Sequence, residues 1–183
     1  MYLMYKEGFK GNKEESRSLL YEAIEKYCVR TGNPASGRIY GAHAMKIYGK
    51  GKPYIEGFAD FSISHTDSLW CVIFSDSPCG IDVQAAKTGN LEKMAIRVFE
   101  ADDAAKVRIH GEQAFFKLWC RKEAYIKAIG ESIFSEVPSL WSEGDSTFVG
   151  GFFVRDVELF DGYFSAICVK GFGRDFKIVK VKL

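Results

Sequence analysis

The run Trp119-Cys120-Arg121-Lys122-Glu123-Ala124-Tyr125-Ile126-Lys127 sets one carboxylate and two lysines within about a turn and a half of helix. At about 100° per residue, Lys122 falls inside an apolar stripe formed by Leu118, Ile126 and Ile129, while Glu123 and Lys127 share its flank. On a solvated helix a Glu123–Lys127 pair would be worth only about 0.2–0.5 kcal/mol. Here Phe115, Phe116, Leu118, Trp119 and Ile126 surround it. A lysine aimed where a core belongs must meet an anion or snorkel away, so this helix is expected to wall a cleft that holds something negative. The second chemical segment is Gly80-Ile81-Asp82-Val83-Gln84, whose period of two sends Asp82 and Gln84 to one face and Ile81 and Val83 to the other. Asp82 is thereby free to face the same cleft. Upstream stand Ser64-His65, at the end of an apolar run, and Gly51-Lys52-Pro53 in a glycine-lysine loop.

Positioning these groups takes a particular succession of elements. Ser16 to Arg30 carries Leu19, Leu20, Ala23, Ile24 and Tyr27 at helical spacing and stops at Thr31-Gly32-Asn33-Pro34. Ile39–Tyr48, Asp60–His65, Leu69–Phe74 and Ile81–Gln84 read as strands, with Gly49 to Pro53 as a loop. The second half repeats the plan: helices over Leu91–Phe99 and Glu112–Ile129, then strands over Phe148–Val154, Val157–Phe160, Tyr163–Lys170 and Phe176–Val181. Asp67 to Phe74 and Asp161 to Cys168 echo one another in turn and apolar pattern. The expected fold is α+β: two similar lobes with antiparallel meander sheets, 1–86 and 87–183, about a pseudo-twofold. The cleft then lies between lobes, where Asp82 of one meets Glu123 of the other.

In order and spacing, Gly-Lys-Pro, an aromatic-rich strand ending in Ser-His, Gly-Ile-Asp and Trp-x-x-Lys-Glu-Ala-x-x-Lys resemble the 4′-phosphopantetheinyl transferases of the surfactin-synthetase-activating (Sfp-like) type, chiefly over Lys46 to Gly130. The resemblance implies transfer of the phosphopantetheine arm of coenzyme A to a serine of an acyl, peptidyl or polyketide carrier protein, releasing adenosine 3′,5′-bisphosphate. It implies Mg²⁺, with Mn²⁺ as an alternative, held by Asp82 and Glu123, and Glu123 as the base for the incoming serine. Lys122 and Lys127 would pair with the phosphates, Ser64 and His65 would contact coenzyme A phosphates, and Lys52 and Pro53 would lie along adenine and ribose. Lys46, Lys50 and Arg38 are further phosphate candidates. Gln84 departs from the family, which often places a third acidic ligand there; its amide oxygen can still coordinate, with less charge. His43 and His110 receive no role.

Composition narrows the alternatives. With Lys+Arg 25 against Asp+Glu 24, the chain carries a formal charge of +1, which argues against non-specific attraction to nucleic acid. Five cysteines without paired spacing read as reduced core residues of a cytoplasmic protein. No basic-then-apolar leader opens the sequence, and no stretch approaches the roughly 18 apolar residues of a membrane span. Three scattered histidines make no zinc site, and neither a Walker A loop, a G-x-G-x-x-G helix opening nor Gly-x-Ser-x-Gly is present. Two rival readings stand beside a monomeric transferase. One is a trimeric holo-acyl-carrier-protein synthase type; the other is a non-catalytic coenzyme A-binding protein, for which Gln84 and the short N-terminal lobe speak.

Overall fold

The computed structural model describes residues 1–33, 45–171 and 177–183. Its most buried strand, β5 (Leu69–Ser75), has no exposed residue, as expected for an apolar run covered on both faces. β5 lies between β1 (Tyr2–Glu7) and β4 (Asp60–Thr66), antiparallel to both, and β10 (Val179–Lys182) adds to β1 in parallel. The second four-stranded sheet is antiparallel throughout, in the order β6 (Cys79–Ala85), β9 (Tyr163–Lys170), β8 (Phe152–Asp156), β7 (Ser146–Val149). A separate hairpin pairs β2 (Met45–Tyr48) with β3 (Lys52–Ile55). The fold is thus mixed α+β with antiparallel sheets, as the sequence pattern predicts.

Alternation along the strands builds four layers. Trp70, Val72 and Phe74 of β5 pack with Met4 beneath α1 (Lys13–Thr31), against Leu20, Ala23 and Ile24. Their neighbours Leu69, Cys71 and Ile73 face the second sheet, against Ile81, Val83 and Ile167. The far face of that sheet, with Phe152, Val154, Ala166 and Cys168, is covered by α3 (Ala101–Ile129). Helix α1 starts where Asn12 accepts the Glu15 N–H at 2.8 Å, a side-chain cap for one orphan donor. α2 (Leu91–Val98) starts the same way, at Asn90 on the Lys93 N–H.

Several boundaries differ from the sequence pattern. β1 was not legible, because Met1 to Glu7 mixes apolar and polar residues without a period, and its burial comes from partners far along the chain. Helix α3 begins at Ala101, eleven residues ahead of the predicted start at Glu112, and breaks at Gly111, whose φ of 70° and ψ of −145° suit only glycine. The predicted Phe148–Val154 strand is the hairpin β7–β8, folded at Gly150-Gly151. Val157–Phe160 is not a strand; Val157 instead donates its N–H to Ser165 O and accepts the Ser165 hydroxyl. Of the predicted Ile39–Tyr48 and Phe176–Val181 strands, Met45–Tyr48 and Val179–Lys182 are strand, whereas 34–44 and 172–176, with Arg38 and His43, lie outside the described residues. β6 belongs to the second sheet and β10 to the first, so sheet membership crosses residue 86 in both directions.

Candidate active site

Gly80 explains how a strand and a helix come close enough to share chemistry. A Cβ on Gly80 would stand 1.9 Å from Ala124 O and 2.8 Å from Ala128 N, so β6 lies directly on the backbone of α3. Two residues on, Asp82 is buried at 2% exposure and meets the helix turn below. Its Oδ1 accepts from Lys127 Nζ at 2.6 Å and from Ser64 Oγ at 2.8 Å, and its Oδ2 accepts from Gln84 Nε2 at 3.2 Å. Lys127 also donates to Ile81 O at 3.1 Å and Ser64 Oγ at 3.3 Å. Four of the predicted residues, Asp82, Lys127, Ser64 and Gln84, therefore form one connected group.

Glu123 stands one turn before Lys127 on α3, half-buried, and its carboxylate makes no hydrogen bond to another described residue. Burial pushes its carboxyl above the ordinary glutamate range, the Asp82 charge adds to this, and Lys127 opposes it. Burial likewise works against the Lys127 charge, yet Asp82, by charge and hydrogen bond, and Glu123 outweigh it and hold the ammonium above the usual lysine value. Asp82 thus pairs directly with the Lys127 ammonium, and Glu123, one turn away on α3, adds its charge to the same neighbourhood.

The remaining predicted residues go elsewhere. Lys122 is buried as its stripe position requires, but its ammonium donates to Val98 O at the C-terminal end of α2, where a cation complements the helix dipole. Burial pushes its pKa down, against the pull of Asp103 and Glu100. Its partner is therefore a neutral backbone carbonyl of its own chain and not the anion its position led one to expect. His65 alternates with Ser64 and so faces away from Asp82, exposed, with its ring 5.1 Å from that of Phe9. Lys52, with a side chain 8% exposed, holds Asp60 Oδ2 at 2.5 Å and Cys79 O at 2.9 Å. Pro53 lines, with Lys50, Lys52, Ser62, Lys127 and Glu131, a cavity of about 220 Å³. Lys46 pairs with Glu56 and Lys50 with Glu131, both on the surface.

Three contributors, Asp60, Ser62 and Arg121, carry no signal in the motif pattern. Asp60 and Ser62 sit on β4 with their oxygens on backbone N–H groups of β6. Arg121, fully buried inside the helix motif, grips Asp156 with two bonds of 2.7 Å and also donates to Leu140 O, Ser142 Oγ and Gly144 O. A charged residue on the inner face of an apolar helix was the available signal, and it was as strong for Arg121 as for Lys122. Among the described residues, no three His, Cys, Asp or Glu side chains cluster as a metal centre, and no helix is long and apolar enough to cross a membrane.

This grouping can be set beside known proteins. A family model of the 4′-phosphopantetheinyl transferase superfamily matches residues 78–167, which hold Asp82, Gln84, Glu123 and Lys127. The chain is 29% identical over 169 residues to the 4′-phosphopantetheinyl transferase gsp of Aneurinibacillus migulanus, covering 85% of this chain and 69% of the relative. It is 37% identical over 133 residues to a 4′-phosphopantetheinyl transferase of Bacillus subtilis, covering 67% of this chain and 56% of the relative. With the 4′-phosphopantetheinyl transferase Sfp of Bacillus subtilis (strain 168) it shares 35% identity over 89 residues, 45% of this chain and 39% of that one. The chain therefore spans between about two fifths and two thirds of these relatives' lengths. On these matches and on the four motif blocks, the chain belongs to the 4′-phosphopantetheinyl transferase superfamily, in its Sfp-like branch.

Proposed function

We propose that this protein transfers the 4′-phosphopantetheine arm of coenzyme A to a serine of an acyl, peptidyl or polyketide carrier protein, leaving adenosine 3′,5′-bisphosphate. The observation that carries the reading is the 2.6 Å ion pair of Asp82 with Lys127, one helical turn from Glu123, between a strand and a helix that both lie in the segment matched by the family model. Phosphoryl transfer depends mainly on positioning and on neutralising charge. Lys127, fixed by Asp82, Ser64 and Ile81 O, presents a fixed cation to the diphosphate. Lys50, Lys52 and Pro53 wall the adjoining cavity, where the nucleotide end of coenzyme A would lie. Glu123, with its raised pKa and free oxygens, accepts the proton of the incoming serine hydroxyl, directly or through water. Lys122 and His65 would need new rotamers to reach the ligand.

The donor set suits a hard divalent cation, because Asp82 and Glu123 offer carboxylate oxygens around a single ammonium. Bound there, Mg²⁺ or Mn²⁺ would neutralise diphosphate oxygens. Gln84 would contribute its amide oxygen after turning its amide over, or leave a water in that place. A two-lobe arrangement fits this reading with β6 and β10 exchanged across the expected 86/87 boundary; β5 and β9, the strands of the internal echo, are each an inner strand of one sheet. We further propose a cytoplasmic monomer with no role for nucleic acid or membrane.

Intact-mass analysis of apo-carrier proteins incubated with this protein, coenzyme A and Mg²⁺ tests the activity. The carrier should gain the arm only when both are present. No gain across a broad carrier panel would sink the catalytic reading in favour of a coenzyme A-binding protein. Light scattering should give a mass near 20.6 kDa; a stable trimer would favour the synthase type.

A further inference from the structure

β4 and β6 run side by side at the seam between the two sheets, yet no backbone ladder joins them. Side chains of β4 take the place of its carbonyls. Asp60 Oδ2 accepts the Cys79 N–H at 2.7 Å, Ser62 Oγ accepts the Ile81 N–H at 3.2 Å, and Ser64 Oγ accepts the Val83 N–H at 3.2 Å. The separation is 19 residues at every rung, so the two strands run parallel in fixed register. On the carbonyl side, Lys52 reaches Cys79 O and Lys127 reaches Ile81 O. A rung that includes a side chain is longer than a direct N–H to C=O bond, so the seam is wide enough for the end of Lys127 to enter it.

We propose that Ser62 and Asp60 are positioning residues that fix the β6 backbone over Cys79 to Ile81, just ahead of Asp82, and so set where Asp82 presents its carboxylate. Ser64 belongs to the site itself, since it also donates to Asp82. Ser62 touches Asp82 only through the Ile81 peptide, whose N–H it holds while Lys127 holds the carbonyl. Ser62 is 3% exposed, so its loss leaves the buried Ile81 N–H without a partner and lets the strand shift toward β4. The inference rests on the site reading given above, but its test does not depend on turnover.

The decisive variants are Ser62→Ala, Ser62→Thr, which keeps the hydroxyl, and Ser16→Ala. The last removes the acceptor of Trp70 Nε1, a structural bond remote from the site. Mn²⁺ alone is titrated into each protein and free ion followed by electron paramagnetic resonance, with exchange of the Ile81 amide measured in parallel. Ser62→Ala should weaken Mn²⁺ binding about tenfold and speed Ile81 exchange by a similar factor, while Ser16→Ala leaves both within about twofold and Ser62→Thr restores them. In transfer assays Ser62→Ala should lower kcat about tenfold and Ser62→Thr restore it. Should Ser62→Ala not fold, Asp60→Ala carries the same test, since it takes the acceptor from the Cys79 N–H and should weaken Mn²⁺ binding while Ser16→Ala does not. Equal losses in the Ser62 and Ser16 variants, unchanged Mn²⁺ affinity in the Ser62 variant, or a wild type that takes up no Mn²⁺ would each overturn the proposal. If no carrier accepts the arm but Ser62→Ala still selectively weakens Mn²⁺, the transferase reading fails and the positioning role stands.

Discussion

Lys127 Nζ stands 2.6 Å from Asp82 Oδ1, across 45 residues of sequence, and this ion pair joins the strand of the Gly-Ile-Asp block to the helix of the Lys-Glu block. Neither charge is exposed enough to be an ordinary surface pair, since the side chains are 28% and 3% exposed. Asp82 is held by three donors, so the pair fixes geometry as much as it stabilises.

Removing either acid should nearly abolish transfer. Asp82→Ala and Glu123→Gln each take one charge from a site that must offset a diphosphate, and losses of about 100-fold or more are expected. Gln84→Ala should be milder, since a water can replace an amide oxygen in a shell that keeps several waters. Titrating Mg²⁺ against initial rate separates these cases; a Gln84→Ala defect equal to that of Asp82→Ala would make Gln84 a direct ligand.

Gly80→Ala should cost both stability and activity. The new methyl would sit 1.9 Å from Ala124 O, a backbone atom that cannot swing aside, so strand and helix must part. Overpacking of this kind costs about 1–3 kcal/mol. The distance from Asp82 to Lys127 grows with it, so thermal unfolding and transfer rate should fall together.

Arg121→Lys should destabilise strongly although it keeps the charge. An ammonium cannot reproduce the fork that grips Asp156 while also reaching Leu140 O, Ser142 Oγ and Gly144 O. Among the described residues the other cation on Asp156 is Lys117 at 3.7 Å. Leaving the buried acceptors of the fork without donors costs about 1–3 kcal/mol, to be read from urea unfolding.

Glu123 makes the protein pH-sensitive on the acid side. Its folded-state pKa is raised, so it binds a proton more readily in the native than in the unfolded chain. Its contribution to stability is therefore full below the ordinary glutamate range and is lost as pH rises through the raised value. Activity runs the other way, because an accepting carboxylate must be ionised. The acid limb of the rate profile should move to lower pH as Mg²⁺ is increased, since cation and proton compete for the same oxygens. A limb indifferent to Mg²⁺ would remove Glu123 from the cation's neighbours.

The sequence by itself determined the pieces that depend on local order. The period of two placed Asp82 and Gln84 together, helical spacing placed Glu123 beside Lys127, and the Thr31-Gly32 stop ended α1, whose start at Lys13, three residues before the expected Ser16, came from the Asn12 cap seen only in the structure. What it left open were destinations. Lys122 lies in an apolar stripe as its position requires, but only the packing of α2 against α3 offered it Val98 O in place of a ligand. His65 follows Ser64 in the motif, and strand alternation turned it toward Phe9. β1 has no pattern of its own and exists because β5 and β10 flank it. The seam of Asp60, Ser62 and Ser64 against β6 is likewise tertiary: each acceptor is an unremarkable polar residue until an unladdered strand edge arrives with N–H groups that must be paired, because a buried donor without a partner is too costly to keep.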